Sequence, residues 1–259
     1  MANKRLLIDV GNTRIKWLML NNRGEEISQA IACSAYTHKG EFEQSIQQCF
    51  ANLNPADQSE YDIIVSNVAG RLAQHSLESF FNAQWKNTPF FISVTRQEFG
   101  IENRYLSISE LGVDRWIALI GSRMLYQQGA IIVINCGTAI TVDLLDTENV
   151  FRGGAILPGF DLGLSALSKA DGIDLYDSKQ LGSDFGVSTS ECVRIGVTAA
   201  CVGGVERIIL KMCSNLDDFD YKNVNIIVSG GGAIRFLAET NLHCEYDANL
   251  ILRGLNRFS

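Results

Sequence analysis

Prolines are scarce in this 259-residue chain, only three in all, and no low-complexity stretch takes their place. A flexible linker is therefore not expected, and any domains must join through ordered structure. The seven cysteines, Cys33, Cys49, Cys136, Cys192, Cys201, Cys213 and Cys244, contain no CxxC pair. That argues against a structural zinc site and a disulfide framework, and predicts reduced, small core residues. His38, His75 and His243 lack HxxxH or HExxH spacing, so histidine is not the expected catalytic base. No run is long enough to cross a bilayer, and the N-terminus enters a strand without a signal-peptide apolar region, which predicts a cytosolic protein with no membrane partner. Lysine and arginine are scattered, and the formal net charge is −7. That balance argues against a nucleic-acid partner.

What is present is apolar and ordered: 46% of residues are hydrophobic, enough for a sizeable core in one large or two medium domains. The stretch Leu6-Leu7-Ile8-Asp9-Val10-Gly11-Asn12-Thr13-Arg14-Ile15-Lys16-Trp17 runs an apolar strand into an acid, a glycine turn, two small polar residues and a lysine. Gly11 allows a sharp turn and close approach to a ligand, Asn12 and Thr13 can donate to phosphate oxygens, and Asp9 can hold a divalent cation directly or through water. Lys16 adds positive charge for a polyphosphate. The alternative is an ordinary hairpin with a Gly-Asn turn and a surface lysine.

A second copy shifts the balance. Ala130 to Asp143 is again an apolar strand, a glycine turn at Gly137, then Thr138, Thr141 and another apolar run. Aligning Gly11 with Gly137 sets Asp9 on Asn135 and Val10 on Cys136, so the chain reads as an approximate internal duplication. Neither copy matches GxxxxGK[ST] or GxGxxG, which disfavours those two nucleotide folds.

Hydrophobic periodicity predicts strands over 6–10, 15–20, 62–66 and 90–94 and a helix over 72–82 in the first half. Ser107 to Glu110 matches a capping box ahead of a helical pattern through Leu111, Trp116, Ile117, Ile120 and Leu125. That helix is expected to open the second half, giving domains at 1–110 and 111–259. Further on, strands are expected over 131–135, 140–145 and 155–157, and a helix over 161–169. A longer helix should follow Thr189, weakened or kinked at Gly203-Gly204. Val224 to Val228 reads as a buried strand running into Gly230-Gly231-Gly232 and a helix from Ile234.

Two other groupings carry chemistry. Leu111-Gly112-Val113-Asp114-Arg115 puts an acid and a base in a first helical turn. Asp114 could accept a hydroxyl proton during phosphoryl transfer and Arg115 hold an anion, or Asp114 could merely complement the helix dipole beside a solvated Arg115. Phe151 to Gly159 is compatible with a substrate-lining loop or a tight hairpin. The glycines at 230–232 suit a nucleotide at a helix N-terminus, or a plain entry turn.

Taken in order, the acid-bearing N-terminal hairpin, the central Gly137-Thr138-Ala139 turn and the late Gly230 to Gly232 turn resemble the actin, sugar-kinase and heat-shock ATPase superfamily. Within it the chain is similar to type III pantothenate kinases. The match rests on Asp9 to Thr13 with Lys16, Leu111 to Trp116, Gly137 to Ala139, Gly153-Gly154 with Pro158-Gly159, and Leu250 to Leu255. The resemblance implies an α/β fold of two duplicated actin-like (ribonuclease H-like) domains, each a mixed sheet flanked by helices, with ATP between the halves.

It also implies that Asp9, Val10, Gly11, Asn12, Thr13, Arg14, Ile15 and Lys16 bind ATP phosphates and magnesium, with Asp9 on the metal. Thr138 would contact ATP, and Gly230, Gly231 and Gly232 would border the adenosine. Tyr105, Gly112, Val113, Asp114, Arg115 and Thr189 would hold pantothenate, with Asp114 the proton acceptor. The implied reaction transfers the ATP γ-phosphoryl group to the pantothenate 4′-hydroxyl, the first step of coenzyme A synthesis, in a homodimer with pantothenate near the subunit interface. A regulatory nucleotide-binding protein of the Bvg accessory factor type is the alternative. Two departures stand out. Asn135 occupies a position where many members use Asp to ligate a monovalent cation such as potassium or ammonium, which predicts reduced or absent potassium dependence. Ser109 stands where proline is frequent.

Overall fold

The computed structural model describes residues 3–30, 39–50, 61–169, 185–214 and 224–258; His38 and Cys33 lie outside them. Packing divides the chain into two compact units, Met1–Leu125 with Asn249–Ser259, and Tyr126–Ala248.

In the first unit, β1 (Lys4–Val10) is the middle strand of a mixed sheet. It pairs antiparallel with β2 (Ile15–Leu20), which pairs antiparallel with β3 (Glu26–Ala30). The helix α1 (Lys39–Phe50) follows. On the other side β1 pairs parallel with β4 (Tyr61–Asn67), and, after α2 (Arg71–Trp85), β4 pairs parallel with β5 (Phe90–Phe91). The period-two alternation of β1 sends Leu6, Ile8 and Val10 into a core shared with α1 and α2. In α2 the buried residues Ala73, Leu77, Phe81 and Trp85 recur every fourth position, the stripe that makes this segment a helix against a sheet. Leu77 and Phe81, both fully buried, each contribute about 1.5–3 kcal/mol by leaving water. Leu7 and Asp9 point to the opposite face.

A short hairpin, β6 (Gln97–Glu98) and β7 (Ile101–Asn103), leads to a 3-10 turn at Ile108–Glu110 and then α3 (Val113–Leu125). The capping-box motif is thus spent on the 3-10 turn: Ser107 makes no side-chain cap, and its hydroxyl lies 2.9 Å from that of Ser109. Leu111, Trp116, Ile117 and Ile120 are buried as the periodicity predicts, whereas Leu125 is 38% exposed.

The second unit repeats the plan. β8 (Ile131–Cys136) is antiparallel to β9 (Ala139–Leu145), which is antiparallel to β10 (Val150–Pro158). After α4 (Phe160–Leu167) and α5 (Thr189–Cys213), β11 (Asn225–Ser229) pairs parallel with β8, and after α6 (Ala233–Glu239), β12 (Glu245–Tyr246) pairs parallel with β11. The sequences β3-β2-β1-β4-β5 and β10-β9-β8-β11-β12 are the same arrangement of directions, the duplication inferred from the two glycine turns. Most of the 151–159 stretch is strand β10, antiparallel to β9 with a bulge between Phe151 and Gly153, and Gly159 leads into α4. α5 runs unbroken through Gly203-Gly204. A side chain at Gly204 would press on Leu157, so close packing, not a kink, accounts for that glycine.

Last comes α7 (Leu250–Leu255), which returns to the first unit and packs on α3. Gly121 and Gly254 permit the approach: a Cβ on either would collide with a backbone carbonyl, that of Leu250 or that of Ile117. The division therefore differs from that expected after residue 110, because α3 and α7 cover the Asp9 face of the first sheet together. Cys49 is disulfide-bonded, contrary to the expectation of reduced cysteines; a single bridge leaves no spacing signature. Cys136, Cys192, Cys201, Cys213 and Cys244 are free. Among the described residues no helix is long and apolar enough to cross a membrane.

Candidate active site

The first unit gathers its charge at the end of β1. In register, Asp9 sits between Lys16 on β2 and Ser66 on β4, and all three share the sheet face covered by α3 and α7. Asp9 is 7% exposed and Ser66 fully buried. Burial pushes the Asp9 carboxyl up to about 7; the Lys16 charge opposes this, the Asp114 charge adds to it, and the Ser66 hydroxyl lowers it slightly. Asp9 Oδ1 has no hydrogen-bond partner among the described residues. A buried carboxylate oxygen that accepts no hydrogen bond among the described residues, with a second carboxylate acting on it, is a donor set that fits a divalent cation.

Asp114 is in the first turn of α3. Its Oδ1 accepts the backbone N–H of Arg115 at 2.8 Å, while a Cβ at Gly112 would lie 2.6 Å from that same oxygen. Glycine at 112 thus leaves the carboxylate room to fold against the helix start. Burial raises the Asp114 pKa, offset in part by the Arg115 N–H and the Arg115 charge. Arg115 is buried, not solvated: its Nη1 donates to the Tyr105 hydroxyl at 3.0 Å, with the guanidinium 5.6 Å from that ring's centre. Tyr105 is fixed in turn, its N–H donating to Asn103 Oδ1 at 3.0 Å and its carbonyl accepting from Arg96 Nη1 at 2.8 Å. Gly112, Val113, Asp114, Arg115 and Tyr105 are therefore brought together, and Arg96 and Asn103 are supports that no motif announced.

The turn between β1 and β2 is less uniform than its motif. Val10 and Ile15 are fully buried, so their side chains belong to the core and only their backbone could meet a ligand. Asn12 and Arg14 are exposed, and Thr13 and Lys16 half-buried. The Gly11 N–H donates to Arg14 O at 3.0 Å, and Gly11 is not among the glycines with positive φ. The sharp turn therefore does not demand glycine here; close approach of a ligand is the reason that stands.

In the second unit three turns meet at the end of β8. The Gly232 N–H donates to Cys136 O at 2.8 Å, and the Gly159 N–H to Thr138 O at 3.0 Å. A Cβ at Gly230, whose φ is +95°, would lie 2.6 Å from Asn135 Oδ1, and one at Gly159 would lie 2.5 Å from Thr138 O. Thr138, Gly137 and Gly231 remain exposed, so a donor-bearing rim surrounds half-buried Asn135. Arg235 ties the helices behind this rim, donating to Thr198 Oγ1 at 2.6 Å with its guanidinium 4.5 Å from the Phe160 ring centre. Thr189 is exposed at the start of α5. The helix start there is capped by Ser188, which accepts from Glu191 N–H at 3.3 Å, while Glu191 Oε2 accepts from Val187 N–H at 2.9 Å. That box, legible as Ser188-x-x-Glu191, is the signal that fixes the helix start.

Residues 5–211 match the sequence model of the type III pantothenate kinase family. A type III pantothenate kinase of Alcanivorax borkumensis is 31% identical over 97% of this chain and 97% of its own length. One from Azoarcus sp. is 33% identical over 96% of this chain and 88% of its own. Among solved structures, MreB 5 of Spiroplasma citri bound to AMPPNP superposes with a TM-score of 0.56 at 10% identity, covering 100% of this chain and 96% of that one. The activator of 2-hydroxyisocaproyl-CoA dehydratase from Clostridium difficile, with bound ADPNP, gives 0.52 at 13% identity, covering 97% and 91%. These two bear on the fold alone, which is that of actin-like ATPases and sugar kinases.

Proposed function

The chain belongs to the type III pantothenate kinase family and phosphorylates pantothenate with ATP, the first step of coenzyme A synthesis; we propose that the cluster of Asp9, Lys16, Asp114, Arg115 and Tyr105 carries the reaction. The observation behind this reading is the buried, donor-free Asp9 Oδ1 beside Asp114 at a helix start. The curated relatives are named as kinases, so the accessory-factor alternative gains nothing from them.

Asp114 takes the proton of the 4′-hydroxyl as its oxygen bonds to the γ-phosphorus and the bond to the β–γ bridging oxygen breaks, the electron pair leaving with ADP. Its raised pKa suits a group that must hold the proton after transfer. Arg115 and Tyr105, already bonded to each other, present a fixed cation and a hydroxyl for the substrate's polar groups. Lys16 and the turn residues Asn12 and Thr13 meet phosphate oxygens. Asp9 would hold magnesium, which when bound supplies neutralisation of phosphoryl charge. Thr138 and the exposed backbone of Gly231 face the nucleotide, with Gly230 and Gly232 shaping the turn that holds them.

The acting unit is a cytoplasmic homodimer that binds neither nucleic acid nor membrane. Support for the dimer comes from α5, whose exposed side is a stripe of Gly196, Ala199, Ala200 and Gly203 flanked by Leu210 at 46% exposure, with nothing beside a Cβ at Gly196 or Gly203. A second helix can pack closely there, and Thr189 begins the same helix. Pantothenate-dependent ADP release from magnesium ATP tests the chemistry: it should fall by about 10²-fold or more in Asp114→Asn, and no release above a pantothenate-free control from the native protein would overturn the reading. Sedimentation of native protein and Ala200→Glu tests the dimer.

A further inference from the structure

Ser66 ends the apolar run of β4, where a fully buried hydroxyl has no packing value. A polar group there needs a partner or carries an uncompensated cost. Its register neighbour on β1 is Asp9, and strand alternation puts both side chains on the same face. Neither Ser66 Oγ nor Asp9 Oδ1 closes a hydrogen bond of good geometry with any described residue. Two adjacent buried polar atoms, each with capacity left over, suit one shared occupant with both donor and acceptor character.

We infer that Ser66 is a positioning residue for the cation: its hydroxyl orients the Asp9 carboxylate and takes a water of a hydrated divalent ion. The inference rests on Asp9 being the metal-binding residue. The second unit carries the same register pair as Asn135 and Ser229, so the serine recurs in the fold. Only in the first unit does it face a carboxylate.

Manganese binding in the presence of a non-hydrolysable ATP analogue, read by electron paramagnetic resonance, tests this without turnover. Native protein, Ser66→Ala, Ser66→Cys and Asp9→Asn are compared, alongside melting temperature and the magnesium dependence of the rate. Ser66→Ala and Ser66→Cys should bind manganese about tenfold more weakly, the usual scale for losing a group that orients a metal ligand. Half-maximal magnesium should rise by a like factor while the KM for pantothenate and the ligand-free melting temperature hold. Unchanged manganese affinity in both serine variants, with Asp9→Asn impaired, would overturn the role of Ser66 alone. Native affinity in Asp9→Asn would overturn the metal assignment beneath it.

Discussion

The row Lys16, Asp9, Ser66 in the first sheet and the row Thr141, Asn135, Ser229 in the second hold equivalent positions, each centred one residue before the end of a strand with one antiparallel and one parallel neighbour. The first row is charged, and its carboxylate keeps an oxygen that accepts no hydrogen bond among the described residues; the second is neutral and crowded by glycine turns whose amides fold back on Cys136 and Thr138. One ancestral plan has thus been used in two ways. In the first unit the end of that strand places charge, and in the second it shapes a rim. Duplication of backbone fixes where a functional side chain stands, but burial and the neighbouring helices decide what it can do.

The largest effects should come from removing charge in the first unit. Asp114→Asn should lower turnover about 10²- to 10⁴-fold, the usual contribution of a positioned acid or base, while ATP affinity by equilibrium titration stays near native. Equal losses in affinity and turnover would mean that Asp114 binds and does not accept the proton. In the second unit the equivalent sensitivity is steric. Gly230→Ala combines a φ of +95° with a Cβ 2.5 Å from Cys136 O, and should cost about 2 kcal/mol or more in denaturant unfolding. Gly11→Ala, whose Cβ would approach only Arg14 O at 3.4 Å, should cost less than about 1 kcal/mol, with its penalty appearing in the KM for ATP instead.

How much of this was legible in the sequence follows from the same contrast. The central hairpins were readable because long apolar runs ending at a glycine have few other interpretations. The pairing of Asp9 with Asn135 followed from aligning the two glycines, and the sheet registers reproduce it. Hidden were the elements with little pattern. α1 is largely polar between its buried Phe42, Ile46 and Phe50. β3 ends beyond a register shift, and α7 is only six residues long. Phe90 to Val94 shrank to Phe90–Phe91, since an apolar run cannot report how many residues find a partner strand. Within the site, Asp114 and Arg115 were legible as a first-turn pair, but the Tyr105, Arg96 and Asn103 supports depend on tertiary contacts that local spacing does not encode.

Burial of Asp9 also sets a measurable trade between stability and function. Its folded pKa is raised from 3.8 to about 7. The protonated form therefore favours the fold, a contribution fully present below pH 3.8 and lost as the pH rises through about 7. Fully ionised, the group costs at most roughly 4 kcal/mol by that shift. In the absence of metal, Asp9→Asn should raise the melting temperature at pH 8 and leave it unchanged near pH 4. Magnesium with nucleotide should close the gap by stabilising the native protein alone. A variant that melts lower than native at pH 8 would place the carboxylate in a compensated environment and weaken the contrast between the two rows.

The smallest expected effect concerns the neutral row. Asn135 is half-buried, with Gly230 packed against its side-chain oxygen, and an amide offers a cation only a partial charge where a carboxylate offers a full one. Rates in potassium and in sodium should therefore be indistinguishable for the native protein. Asn135→Asp supplies the missing charge next to the backbone oxygens of Cys136 and Thr138, and should bring a potassium-stimulated rate together with a lower melting temperature in cation-free buffer, because an unpaired buried carboxylate is costly. A strong preference of the native protein for potassium would show that the amide and the surrounding carbonyls suffice, and that the two rows differ less in electrostatics than their residues suggest.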